Sequence, residues 1–383
     1  FMKKKLVAVA VAGVLAAPLA AQAQTANVTL YGRLNMDVEV VNGAPNGASN
    51  PNVTRVSSNS SRLGVRGTES LGGGLSAVFQ IESNVQGDTG GSTLASRETF
   101  VGLQGSWGTV KIGNFLAPYD DIHPIFGNVP TLTTSILSTA TLWGQGAQSK
   151  VQGGFDARLN NSLRYDSPTI AGFTGSAQIS LGEGTAYPGN VHAYVLSLGG
   201  FYNNGPLQLG LAYELNNRVR GPDQNDWALT VAGGYNFGLF RLGLVYQRLD
   251  YEQPGDLGHL TSNMYGVSGT IPVGPGTLFA YWGGASNGGS CGGNVNLAGT
   301  AFCRVGGVTN GGSDNAQQYS ISYTYPLSKR TLLYAGYVGI NNDDNASYTF
   351  NINPYNTTTV GNNLFGPIGG NLNGFVLGTV HFF

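Results

Sequence analysis

From Val28 to Val40 apolar and polar residues alternate without a break. Val28, Leu30, Gly32, Leu34, Met36, Val38 and Val40 fall on one side; Thr29, Tyr31, Arg33, Asn35, Asp37 and Glu39 fall on the other. Side chains of a strand point alternately to opposite faces, so this is a strand with one oily and one charged face. Helical spacing would scatter the same residues around an axis. The pattern recurs. Leu75, Ala77, Phe79 and Ile81 alternate with Ser76, Val78, Gln80 and Glu82; Leu207, Leu209, Leu211 and Tyr213 alternate with Gln208, Gly210, Ala212 and Glu214. Further alternating runs cover 227–237 and 318–325. These period-2 runs, separated by turn signals, predict an all-β chain with no long amphipathic helix.

The connections fall into two kinds that take turns. Tight ones lie at 69–74, 104–108, 167–172, 202–206, 236–240, 272–276 and 326–330. Long ones lie at 41–54, 83–95, 115–157, 182–190, 216–224, 251–261, 284–315 and 341–371. Seven tight turns and eight loops predict sixteen antiparallel strands. Short turns at one end, long loops at the other and an even strand number are the plan of a transmembrane β-barrel. A sheet in lipid cannot leave edge hydrogen bonds open, so it must close. Tyr235, Phe237, Tyr323 and Tyr325, beside the tight turns, suit an interfacial aromatic girdle.

Composition agrees. Only 10% of residues are charged, against roughly 25% in a soluble domain. Glycine reaches 60 residues, with 19 tyrosines and 17 phenylalanines. Residues 1–23 read as an export signal: Lys3, Lys4 and Lys5, an apolar stretch from Leu6 to Leu19, then the small-x-small end Ala21-Gln22-Ala23. The apolar run is shorter than the ~18–20 residues of a spanning helix. Cleavage after Ala23 leaves 24–383 as one barrel domain. Without the three signal lysines the 19 basic residues become 16 against 20 acidic ones, a net charge of −4. No basic cluster points to nucleic acid. Cys291 and Cys303 form a candidate loop-closing disulfide in an exported chain. His123, His192, His259 and His381 are not near them in sequence, which disfavours a metal site. Phe375, Leu377, Thr379, His381 and Phe383 share a face of the last strand, whose terminal aromatic is similar to a barrel-insertion signal.

Four stretches carry a family resemblance: SSRLGVRGTESLGGGLSAVFQIES (60–83), SRETFVGLQGSWGTVKIG (96–113), RLNNSLRYDSPTIAGF (158–173) and the terminal HFF. They resemble the general diffusion porins of Gram-negative outer membranes, over essentially the whole mature chain. The resemblance implies a sixteen-stranded barrel, a homotrimer, and a third loop folded into the lumen as a constriction. Residues 115–157 fit that loop by length. Family members often carry an acid in a Pro-x-Phe-Gly segment there. This chain reads Pro124-Ile125-Phe126-Gly127, without the carboxylate.

Parity places Arg33 on the water side, because an arginine facing lipid at mid-depth costs about 2–4 kcal/mol. Counted from the tight turns, Arg33, Arg62, Arg97 and Arg158 stand roughly 15–22 Å up, near mid-barrel. The resemblance also implies a basic wall, which falls on these four residues. Asp120 and Asp121 are the expected acidic counterpart on the third loop. Arg66, Lys111 and Arg164 face the lumen lower down and are assigned to the periplasmic vestibule. Asp37, Glu39 and Glu82 are inward acids nearer the external mouth, and Asp166 lies near the lower rim. Arg97 is placed inward with Thr99, and Glu98 outward, where a subunit interface would accommodate it.

The expected function is passive: a water-filled outer-membrane channel for small hydrophilic solutes and ions, with no cofactor. Basic rings favour anions, and salt screens charges beyond about 8–10 Å. The expectation is therefore weak to moderate anion preference. A substrate-specific channel would need a line of aromatic or basic residues along the lumen, which parity does not reveal. An enzyme would need a nucleophile–base pair or paired carboxylates in reach, and no such motif is present. An adhesin role could reside in 284–315 and 341–371.

Overall fold

A computed structural model describes residues 27–44, 52–127, 135–144, 155–182, 193–221, 223–253, 258–289, 313–350, 352–353 and 369–383, with short strand pieces between 296 and 309 and between 358 and 365. Residues 1–23, with the proposed export signal, and Cys291 and Cys303 lie outside the described residues.

The chain forms a closed antiparallel barrel of sixteen strands. β1 is Asn27–Ala44. β2 comes in two pieces, Val53–Ser58 and Arg62–Gly72. β3 is Leu75–Val85, β4 Thr99–Gly105, β5 Gly108–Leu116 and β6 Arg158–Asp166. β7 is Phe173–Leu181, β8 Tyr194–Asn204, β9 Leu207–Asn217 and β10 Asn225–Asn236. β11 is Arg241–Glu252, β12 His259–Val273 and β13 Gly276–Gly289. β14 is Ala316–Pro326, β15 Thr331–Asn342 and β16 Asn371–Phe382. Each strand pairs with the next, and β16 returns to pair with β1, for example Leu34 with His381. That closure leaves no edge in lipid.

The two faces of β1 separate as the alternation predicts. Val28, Leu30, Leu34, Val38 and Val40 are exposed outward, whereas Arg33, Asn35, Asp37 and Glu39 are buried on the inner side. Outward apolar side chains have hydrocarbon as their solvent, so their exposure to water in an isolated chain carries no penalty in a bilayer. At the tight-turn end Tyr235, Phe237 and Tyr325 project outward, and Phe237 stacks on Phe240 at 4.7 Å.

Two interruptions shape the interior. Between the pieces of β2, Ser60 adopts a φ of +53°. In β6, Asn161 has a φ of +49°, and the register against β5 slips between Gly113 and Phe115. Such bulges re-aim side chains locally. Both sit next to the predicted basic wall.

Candidate functional site

Arg33 and Arg62 are direct cross-strand partners on β1 and β2. The break in β2 matters here: it frees the Ser60 carbonyl, which accepts from Arg33 Nε at 3.4 Å. Glu82 on β3 joins the group. Its carboxylate accepts from Arg97 Nε at 2.7 Å and lies 3.7 Å from Arg62. The Tyr31 hydroxyl donates to the other oxygen at 2.9 Å. The Arg97 peptide N–H also donates to the Glu82 carbonyl, at 3.0 Å. Arg33, Arg62 and Arg97 are close enough to repel one another, with Glu82 as the shared opposite charge.

Three sequence expectations change in this region. Glu82 was expected nearer the external mouth, yet it stands at the height of the arginines. Counting from turns missed this because strand tilt brings Gly64, two residues below Arg62, opposite Glu82. Glu98 was expected outward; its carboxylate accepts from the inward Gln80 at 3.4 Å. Thr99 was expected inward; it shares the parity of Val101 and Leu103, which are exposed outward. β4 begins only at Thr99. Arg97 therefore lies before the regular strand, and its side chain reaches inward where strand parity would not take it.

Arg158 interacts electrostatically with Arg97 and Glu98, and more weakly with Glu82 and Asp120. The alternation expected for it with Asn160, Ser162 and Arg164 is broken by the kink at Asn161. Asp121 meets Arg164, at 2.5 Å. Arg164 also holds Asp166 at 2.8 Å and the Leu116 carbonyl at 2.9 Å, and Lys111 reaches Asp166 at 2.8 Å. Two cations and two anions thus neutralise one another at the base of the third loop. Arg66 lies over the Tyr31 ring at 5.0 Å. Asp120 sits in a 3-10 turn, Asp120–Ile122. Burial, then the neighbouring Asp156 and Asp121, push its carboxyl well above the usual carboxylate range.

The third connection packs against the inner faces of later strands. The Tyr119 N–H donates to Ser197 on β8 at 3.1 Å. Gln318 on β14 donates to the Ser138 carbonyl at 2.7 Å. Between these anchors an aromatic column forms. His123 stacks on Trp143 at 4.9 Å, Trp143 on Tyr119 at 5.4 Å, and Tyr119 meets Phe155, which meets Tyr251 on β11. Gln247 on β11 closes the column. With its amide oriented to satisfy the three donors around it, its oxygen accepts from Tyr119 Oη at 2.6 Å, Trp143 Nε1 at 2.9 Å and Gly144 N at 3.1 Å. Thr230 on β10 donates to Tyr119 Oη at 2.5 Å. His123 bonds Thr139 through Nε2 at 2.7 Å, and burial pushes its imidazole pKa down to about 4.

The wall is hollowed to receive this segment. A side chain at Gly243 of β11 would bring a Cβ to 2.8 Å from the Ile125 carbonyl. One at Gly210 of β9 would meet Ile125 and Ile122 at 2.7 and 2.8 Å. Ala212, Ala228 and Ala232 continue the same small-residue surface, all buried. Sequence reading found the loop by its length. It missed the column, although Tyr119, His123 and Trp143 within one long loop of a chain with glycine-bearing strands were the signal available.

On the inner face beyond the arginines, toward the ends with long loops, Glu39 pairs with Arg55 at 2.6 Å, and the Tyr334 hydroxyl lies 2.8 Å from Asp37. Arg55 and Tyr334 were not singled out from sequence.

The family described as Gram-negative porin matches residues 8–345. Outer membrane porin protein 32 of Delftia acidovorans is 32% identical over 365 residues, covering 90% of this chain and 91% of the relative. Major outer membrane protein P.IB of Neisseria meningitidis serogroup B is 32% identical over 229 residues, 57% of this chain and 61% of the relative. Among solved structures, an anion-selective porin from Comamonas acidovorans superposes with a TM-score of 0.73 at 23% identity, covering 94% of this chain and 100% of that one. OmpT of Vibrio cholerae, in its trimer form, gives 0.65 at 16% identity, covering 94% and 99%. The strand plan, the inward charges and these relatives agree, and the chain belongs to the Gram-negative porins, which are outer-membrane channels rather than enzymes.

Proposed function

We propose that the chain forms a general diffusion channel with weak to moderate anion preference, working as a homotrimer. Small hydrophilic solutes and ions pass between the segment 115–157 and a wall made by Arg33, Arg62, Arg97 and Arg158. The observation that supports this most directly is the distribution of counter-charge. Asp121, expected as the acidic counterpart, is taken up by Arg164. Asp120 is held toward its neutral form. The arginines are then offset chiefly by Glu82 and Glu98, and fixed cations in a narrow pore favour anions. Arg66, Lys111 and Arg164 line the periplasmic vestibule in this reading. The name of the Comamonas structure states anion selectivity for that protein, and the Vibrio structure is a trimer form; both support the same reading here.

The reading extends to maturation: residues 1–23 are removed on export, and Cys291 and Cys303 pair. Intact-mass measurement of outer-membrane protein, with and without a reductant and thiol label, tests both. Single-channel recording in a planar bilayer under a salt gradient tests the channel. The expected result is stepwise ohmic current with a reversal potential on the anion side. No current from folded protein, or a cation-side potential, would overturn it.

A further inference from the structure

A depression of about 320 Å³ opens where the third connection meets the inner wall of β7, β8 and β9, toward their tight-turn ends. We propose that it is a subsite for a neutral polyhydroxylated ring, such as a monosaccharide, on the periplasmic side of the pore. The volume is at the lower end of small-molecule sites, about 300–1,000 Å³, which suits one ring. The inference rests on the reading of the barrel as an open channel.

The chemistry of the lining carries the assignment. One side is apolar: the Phe201 ring, with Pro124 and Ile125 of the third connection facing it. The Phe201 ring is partly buried against the apolar packing of the third connection and offers a flat face to ring C–H groups. The other side is polar without net charge. Thr174 on β7 and Asn203 on β8 present a hydroxyl and an amide, each able to donate and accept. Gln208 on β9 has its oxygen engaged by Arg241 at 2.5 Å, which leaves its NH₂ group as a donor. Ser176 donates to Asp166 at 2.8 Å, which leaves its lone pairs as acceptors.

Charge argues against an ionic ligand. Asp121, the one acid of the lining, is paired with Arg164. Arg241 sits behind the lining, where it also holds the Ile125 carbonyl at 2.7 Å. An anion would meet the Asp121 carboxylate, and a cation would find that carboxylate already paired with Arg164. A sugar matches both the apolar face and the mixed donor and acceptor edge.

The test uses D-glucose as probe, with a polyethylene glycol of matching size as control, in single-channel recordings of the full-length channel. Glucose should add reversible current noise from short occupancy events, and the polymer should lower the current smoothly. Asn203→Ala should raise the apparent dissociation constant about three- to tenfold, the effect of one lost hydrogen bond. Phe201→Leu, which keeps an apolar side chain, should abolish the noise while leaving the ion current intact. Glucose and polymer acting alike, or noise unchanged in both variants, would overturn the subsite. Loss of all current would instead overturn the channel reading.

Discussion

The Glu82 carboxylate lies 2.7 Å from Arg97 and 3.7 Å from Arg62, so one acid on β3 restrains two arginines of the lumen wall. Its side chain is nearly inaccessible, and Tyr31 fixes its second oxygen. Glu82→Gln keeps the shape and removes the charge. The reversal potential under a salt gradient should move further to the anion side. The protein should also lose about 1 kcal/mol of stability, since two half-buried cations lose their partner. A thermal melt followed by heat-modifiable gel migration would record the loss. An unchanged reversal potential would show that this cluster does not see the permeating ion.

Arg62 is the complementary test. It pairs across strands with Arg33 and interacts with Arg97. Arg62→Glu replaces a cation by an anion at the centre of the cluster, a local change of two charges. Because salt screens charges beyond about 8–10 Å, this should outweigh every distant acid in the chain. Selectivity should shift toward cations, read from the same reversal measurement, with single-channel conductance changed far less.

The barrel was legible because a strand in a membrane barrel obeys one rule along its whole length. Val28 to Val40 could be assigned residue by residue, and the alternation of tight and long connections fixed the strand number. The charges of the wall were legible only where strands stay regular. Arg33 and Arg62 fell as parity placed them. Glu98 and Thr99 did not, because β4 starts after Arg97, and no local pattern marks that start. The pairing of Asp121 with Arg164 and the meeting of Tyr119 with Thr230 and Gln247 join residues up to 128 positions apart. Contacts of that separation are set by register and loop packing, which periodicity does not encode.

Gln247 ties three groups of the third connection to the barrel wall. It accepts from Tyr119, Trp143 and Gly144 at once. Gln247→Leu leaves these donors unpaired in a buried site, at a cost of about 1–3 kcal/mol for each that finds no substitute. The barrel hydrogen bonds are untouched, so the barrel should persist while current fluctuations increase. Gly243→Val approaches the same segment from the wall, where a Cβ would crowd the Ile125 carbonyl. It should likewise raise the noise and alter the mean conductance. Quiet, wild-type currents in both variants would show that this segment does not bound the conducting path.

Two groups of the same segment make its docking depend on pH in opposite senses. His123, stacked on Trp143, has its pKa pushed from 6.5 down to about 4 by burial. Below pH 6.5 the undocked segment binds a proton that the docked one refuses, so docking weakens as pH falls toward 4. The full effect is about 3 kcal/mol. Asp120 is displaced the other way, well above 3.8, by burial and by Asp156 and Asp121. Above pH 3.8 the undocked segment releases a proton that the docked one keeps, so docking weakens as pH rises toward the docked pKa. In the wild type the two slopes oppose each other across mildly acidic pH. His123→Phe keeps a ring in the stack and removes the first slope, so current noise should rise with pH. Asp120→Asn removes the larger part of the second, since burial raises the neighbouring Asp121 less, so noise should rise as pH falls. Recordings at steps between pH 4 and 7 would separate them, and slopes of the same sign in the two variants would contradict the assignment of opposite roles to these neighbours.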